Sequence, residues 1–212
     1  MRRVRKALLA AALVLTTTGC GAAETAARPE RAGVLGGWQT AGCAFARTAK
    51  YTVRGHVRTP VTPPALATAM ERIDRGGRDQ HADRYSGIEV DQKRVRAVVY
   101  RVPSARFDDF VRSSAEDACI LVRDSAHALA ELDDWHDRIV ADLHYWGDQG
   151  VRIVTVGSRH DGVGVEIGTR DLDEARLMLP ARYGIGAPLV FVEEGPVTPV
   201  SSGRKVVPES GG

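Results

Sequence analysis

The chain predicts an α+β fold: two ββαβ units with small, mainly antiparallel sheets, joined by a long amphipathic helix. Three observations carry that expectation. The order of strand-like and helix-like apolar patterns between Tyr85 and Val122 recurs between Val151 and Val192. Between the two copies, Leu132, Trp135, Ile139, Leu143 and Trp146 repeat at three- and four-residue intervals, a stripe wide enough to cover a sheet. The hydrophobic fraction of 43% and charged fraction of 26% are those of a folded globular chain. Two three-stranded sheets packed on that helix and on two shorter ones are expected, with a single mixed six-stranded sheet as the alternative.

The elements follow in order. Residues 1–19 read as an export signal: Arg2, Arg3, Arg5 and Lys6 precede an apolar run from Ala7 to Leu15, and Thr16 to Gly19 are small residues leading into Cys20. The run is too short to span a membrane, which takes roughly 20 apolar residues. The ending resembles a bacterial lipobox, which implies that Cys20 is acylated and becomes the mature N-terminus. It departs from that pattern at Thr17, where leucine is usual. The alternative is simple secretion after a cut just past Cys20, between small residues such as Gly21 and Ala23. Residues 20–37 then form a flexible tether rich in Ala, Gly, Glu, Pro and Thr. Residues 38–200 are the α+β domain and residues 201–212 a disordered tail.

Within the domain, Ala44-Phe45-Ala46 and Tyr51-Thr52-Val53 suggest short strands, and Thr59-Pro60-Val61-Thr62-Pro63-Pro64 a stiff extended linker. Leu66, Met70 and Ile73 share a helix face, which Gly76-Gly77 is expected to stop. The first unit, about residues 85–123, places Ile88 and Val90 on one strand and Val95, Ala97, Val99 and Arg101 on its return. Ser104 then caps a helix bearing Phe107, Phe110 and Val111, and Cys119 to Val122 form a third strand. A single helix is expected over about Ala128 to Trp146. The second unit, about residues 151–195, repeats the series. Val151, Ile153 and Val156 mark a strand, Arg159 to Gly162 a turn, and Val163, Val165 and Ile167 the return. Thr169 or Asp171 caps a helix with Leu172, Ala175 and Leu179, limited by Pro180 and Gly184, and Leu189 to Val192 close the unit.

Charge excludes a nucleic-acid footprint. Four of the 29 Lys and Arg residues lie in the signal, which leaves 25 against 27 acids. Cys43 and Cys119 remain once Cys20 carries lipid, and an even pair in an oxidising compartment predicts a disulfide, against the alternative of two buried thiols. No cofactor or metal site is expected. His136 and His144 lie roughly 12 Å apart along a helix, and His56, His81, His127 and His160 have no ligand partner at informative spacing. No catalytic motif occurs, although a triad assembled from distant positions leaves no sequence signature. Asp133, Asp134 and Asp137 read as a wet helix face, and Trp135 and Trp146 as core.

The run His81-Ala82-Asp83-Arg84-Tyr85-Ser86-Gly87-Ile88-Glu89-Val90-Asp91, followed by Arg94 to Tyr100, resembles a family of uncharacterised actinobacterial secreted proteins and lipoproteins. The hairpin, helix and third strand are also similar to the pro-region of alpha-lytic-type serine proteases, through the short motif Tyr85-Ser86-Gly87. That resemblance implies a domain that docks a sheet against another protein as folding chaperone or inhibitor. No protease domain follows here.

The functional expectation is a non-enzymatic interaction module, lipid-anchored on the outer face of the cell membrane, that binds another envelope or secreted protein. Strand edges are the expected surface, with the second hairpin, Val151 to Gly168, the leading candidate. Membrane contact is expected through the anchor only. The alternatives are a hydrolase with a dispersed triad and a protease inhibitor or pro-region-like chaperone acting in trans.

Overall fold

In a computed structural model, residues 36–45 and 47–195 are described. Chain order gives β1 (Gly37–Gln39), a 3-10 turn at Ala41–Ala44, β2 (Lys50–Arg54), β3 (Val57–Val61), α1 (Pro64–Gln80), β4 (Tyr85–Asp91), β5 (Arg96–Arg101), α2 (Ala105–Ala115) and β6 (Ile120–Asp124). There follow α3 (Leu129–Ala141), α4 (Leu143–Asp148), β7 (Ile153–Ser158), β8 (Val165–Thr169), α5 (Leu172–Tyr183) and β9 (Leu189–Glu193). The fold is α+β. Among the described residues, no helix is long and apolar enough to cross a membrane.

The duplication read in the sequence is present in the backbone. Strands β4 and β5 pair antiparallel, β5 and β6 parallel, with α2 between them; β7, β8, α5 and β9 repeat this arrangement. Even the irregularities match. Each first strand carries a register shift at its start, between Tyr85 and Gly87 in one unit and between Ile153 and Thr155 in the other. Aligned through the ladders, Ile120, Val122 and Asp124 of β6 correspond to Leu189, Phe191 and Glu193 of β9. The sheets are separate rather than one: β1-β6-β5-β4, β2-β3 and β7-β8-β9.

Each unit has its own core. Ile73 from α1, Tyr85, Val99, Phe107, Val111, Ile120 and Val122 fill the first; Leu132, Ile139, Trp146, Val165, Ile167 and Leu179 fill the second. Alternation along β5 and β8 supplies the inward residues, and the helices contribute one face each. Ser104 caps α2 as expected, its hydroxyl accepting from the Phe107 amide at 3.4 Å.

Several expectations are corrected. Gly76-Gly77 does not stop α1, which runs on to Gln80. The pair serves packing instead: a Cβ at Gly76 would lie 2.2 Å from the Phe110 ring, and one at Gly77 would lie 2.6 Å from the Tyr85 ring. The long helix is two, broken at Asp142. There the chain tightens to a bond from the Asp142 amide to the Ile139 carbonyl, 3.1 Å. The Asp142 carboxylate is held from α5 by the Arg182 guanidinium and the Tyr183 hydroxyl, both at 2.9 Å. Leu132, Ile139 and Trp146 stay buried across the break, whereas Leu143 turns outward.

Tyr51 to Val53 lie in β2 as expected, while the rest of the segment before α1 differs from the expectation. Gly37, assigned to the tether, begins β1; of the strand expected over Ala44-Phe45-Ala46, Ala44 ends a 3-10 turn, Phe45 follows it and Ala46 lies outside the described residues; and Thr59 to Val61 of the proline-rich linker belong to β3, paired with β2. Val95 sits in the β4–β5 turn with φ of +52°, and Val163 lies exposed in the β7–β8 loop instead of in β8. Pro180 lies inside α5, which ends at Tyr183 with Gly184 as its C-cap, and Asp171 holds the N-cap position without a side-chain bond to the helix.

Candidate functional site: the third-strand edges

Of the residues singled out in the sequence, Cys43 and Cys119 form a disulfide, while Cys20 lies outside the described residues. The bridge fastens the 3-10 turn after β1 to the residue before β6. Thr40 completes the clasp, its hydroxyl donating to the Ala118 carbonyl at 2.7 Å and accepting from the Ile120 amide at 3.0 Å. Beta1 is therefore locked onto the outer edge of β6. The Thr40 amide donates to the Ile120 carbonyl and the Asp124 amide to the Gly36 carbonyl, with Trp38 opposite Val122 between them. A Cβ at Gly37 would lie 2.3 Å from the Val122 carbonyl oxygen, so the strand fits this closely because glycine begins it.

The equivalent edge in the second unit is the outer side of β9. Among the described residues, no strand pairs with the outer side of β9. The Val165 amide donates to the Pro188 carbonyl and the Glu194 amide to the Thr169 carbonyl. Alternation along a parallel strand then turns the amides and carbonyls of Phe191 and Glu193 away from β8. These are the positions at which β6 receives β1. One face of β9 packs on α5 through half-buried Leu189 and Phe191, whereas Glu193 is exposed. An unpaired row of this kind is a template for a further strand.

The second hairpin, the surface favoured by the sequence, is differently employed. Its tip docks on the first unit. The His127 amide donates to the Gly162 carbonyl at 3.1 Å, and a Cβ at Gly162 would lie 2.6 Å from the His127 carbonyl oxygen; its φ is +67°. Buried Ser86 and Ser125 share a hydrogen bond, and the Ser86 hydroxyl also reaches the His127 carbonyl at 2.6 Å. Nearby, Glu89 receives the Tyr100 hydroxyl at 3.0 Å and contacts His160 Nε2 at 3.2 Å. Burial and the Glu89 carboxylate push Tyr100 up to about 12. A carboxylate flanked by histidine and tyrosine can transfer protons in principle. The clefts beside β1, α1 and the cystine, however, are lined by other residues. The group joins the two units.

Three further histidines also face carboxylates. His127 Nδ1 lies 2.9 Å from Glu131, His136 Nδ1 2.9 Å from Asp137 and His144 Nδ1 3.3 Å from Asp148. No histidine ring among the described residues bonds a serine or threonine hydroxyl, and none joins a cluster able to hold a metal ion. Asp133 accepts from the Ser158 hydroxyl at 2.8 Å, and Asp134 and Asp137 are exposed. Buried Arg101 ends β5 and is bound by Asp108 and Asp124; its counterpart Thr169 ends β8 and donates to the Arg152 carbonyl at 3.0 Å. These polar ends fasten strands rather than form a site.

The fold and edge geometry define the class as a duplicated α+β module in which, among the described residues, one sheet edge is capped and its counterpart is not. No family model, curated protein or solved structure matches this chain. Sequence reasoning missed the contrast between the edges. Gly36-Gly37-Trp38 was its only local sign, and that sign describes the capped edge.

Proposed function

We propose that this chain is a membrane-tethered, non-enzymatic interaction module that takes an extended segment of another envelope or secreted protein onto the outer edge of β9. One observation carries the reading: among the described residues, two units built alike differ in that β6 holds an added strand and β9 does not. Strand addition uses main-chain hydrogen bonds for affinity and alternate side-chain positions for specificity. Inhibition or chaperoning of a secreted protein in trans is one form such a contact can take.

The tether rests on the order of charged, apolar and small residues ending at Cys20. Two acyl chains at that residue make anchoring stable, where one is marginal. Detergent-phase partitioning lost on Cys20→Ala supports it, and unchanged partitioning refutes it.

In-cell crosslinking followed by mass spectrometry tests the edge, comparing the native chain with Glu193→Pro. Glu193 is exposed and its amide faces outward, so proline removes the donor without breaking the β8–β9 ladder. Capture of a partner through β9 that Glu193→Pro abolishes is the expected result. Undiminished capture in that variant overturns the edge. A chain that captures nothing yet hydrolyses a panel ester or peptide, through a serine whose substitution abolishes turnover, is the hydrolase instead.

A further inference from the structure

We infer that the β2–β3 hairpin is a second membrane contact, whose tip enters the headgroup region of an anionic lipid bilayer. The hairpin stands off the body. It has no substantial packing against any other helix or strand, and it is tied at its base where Gln92 Nε2 donates to the Thr62 hydroxyl at 2.9 Å. An isolated two-stranded hairpin is marginal in water, so a surface that receives it matters to its order.

Its chemistry selects the surface. The whole stretch from Arg31 to Met70 contains no aspartate or glutamate. Lys50, Arg54 and Arg58 form no ion pair among the described residues, and the Arg58 guanidinium lies 3.9 Å from the centre of the Tyr51 ring. Beside the Gly55-His56 turn, Val53 is 67% exposed and Val57 65%.

The ladder sets the geometry. Opposed residues share a face, so Val53 and Arg58 lie on one side and Val57 and Arg54 on the other. Each valine stands opposite an arginine at the same depth, next to the Gly55-His56 turn, so both faces are apolar and cationic and suit a medium that surrounds them, with the long arginine side chains able to reach back toward the headgroups. A protein groove, by contrast, reads one face. Aliphatic side chains below the headgroups and cations level with their phosphates is the usual interfacial arrangement.

The setting rests on the tethering reading. Fifteen residues separate Cys20 from Gly36, sixteen steps with a reach of roughly 55 Å at most when fully extended, so an anchored domain stays within a hairpin's approach of the bilayer. The inference is independent of the β9 edge.

The test uses the full chain carrying Cys20→Ser, which removes any acyl anchor, so the hairpin and the anchor fail separately. Sedimentation is measured with vesicles of phosphatidylcholine alone and of phosphatidylcholine with 30% phosphatidylglycerol (roughly the anionic fraction that gives a substantial surface potential). Binding to the anionic vesicles only, weakened by salt, is expected. Arg54→Gln with Arg58→Gln should reduce partitioning by roughly 30-fold, about fivefold per cation. Val53→Ser with Val57→Ser should reduce it by about tenfold, since two aliphatic side chains leave the interface. Glu193→Pro should leave it unchanged. All these positions are exposed, and retained circular dichroism verifies folding. Equal binding to both vesicle types, or anionic binding indifferent to both hairpin variants, overturns the inference. So does hairpin-dependent binding to an acidic polymer such as an oligonucleotide with none to vesicles.

Discussion

Gly77→Ala separates helix propensity from packing. In an ordinary helix interior, alanine for glycine gains about 1 kcal/mol. Here the new Cβ would lie 2.6 Å from Cγ of Tyr85 and 2.8 Å from Cδ2, well inside contact distance. The ring cannot retreat: Tyr85 is fully buried, packs against Phe107 at 6.1 Å, and donates its hydroxyl to Asp74 Oδ1 at 2.6 Å. Overpacking of a filled core costs about 1–3 kcal/mol, which cancels the gain and leaves a net loss of up to about 2 kcal/mol. Gly147→Ala is the control, because nothing lies within 4 Å of a Cβ there; it should gain about 0.5 kcal/mol. Urea unfolding followed by circular dichroism measures both. A stabilised Gly77→Ala would refute the claim that the glycine exists for the approach of α1 to Tyr85.

Two further predictions concern the cystine and a buried histidine. The Cys43–Cys119 bridge spans 76 residues, for which loop closure gives about 4.5 kcal/mol; reduction should lower the urea midpoint accordingly and raise the exchange rate of the Asp124 amide as β1 loosens, whereas an unchanged midpoint would contradict the clasp. His81 is buried between Phe107 and Phe110, and burial followed by the Arg106 charge lowers its pKa, with Asp83 opposing. The unfolded chain therefore takes the proton first. Stability is full above the ordinary histidine value of about 6.5 and declines as pH falls from there to the folded value. Unfolding at pH 7.5 and 5 should show a smaller acid loss in His81→Gln than in the native chain, and an equal loss would exclude His81 as a source.

The repeat was legible because it rests on local periodicity. Ile88 and Val90, Ala97 and Val99, then Phe107 and Val111 follow strand and helix spacing, and Val165, Ile167 and Leu179 follow it again. The cysteine pairing was legible by elimination. What escaped depends on distant partners. Gly76-Gly77 looks like a helix stop until Phe110 and Tyr85 are brought beside it. The break at Asp142 needs Arg182 and Tyr183, about 40 residues away. Beta1 needs β6, and β3 hid behind Pro60, which an edge strand tolerates. The second hairpin had the pattern of an open surface, yet its tip is fixed by Ser125 and His127. Whether an edge is covered is a tertiary fact, and the apolar runs Ile120 to Val122 and Leu189 to Val192 look alike.

The most direct test of the central claim compares two equivalent backbone amides in the free protein by native-state hydrogen exchange. The Asp124 amide donates to the Gly36 carbonyl of β1 at 2.9 Å and should be strongly protected. The Glu193 amide occupies the same place on β9 and should exchange close to the rate of an unstructured chain. If Glu193 is protected as well as Asp124, the edge is already filled, and the account of β9 as the binding site is wrong.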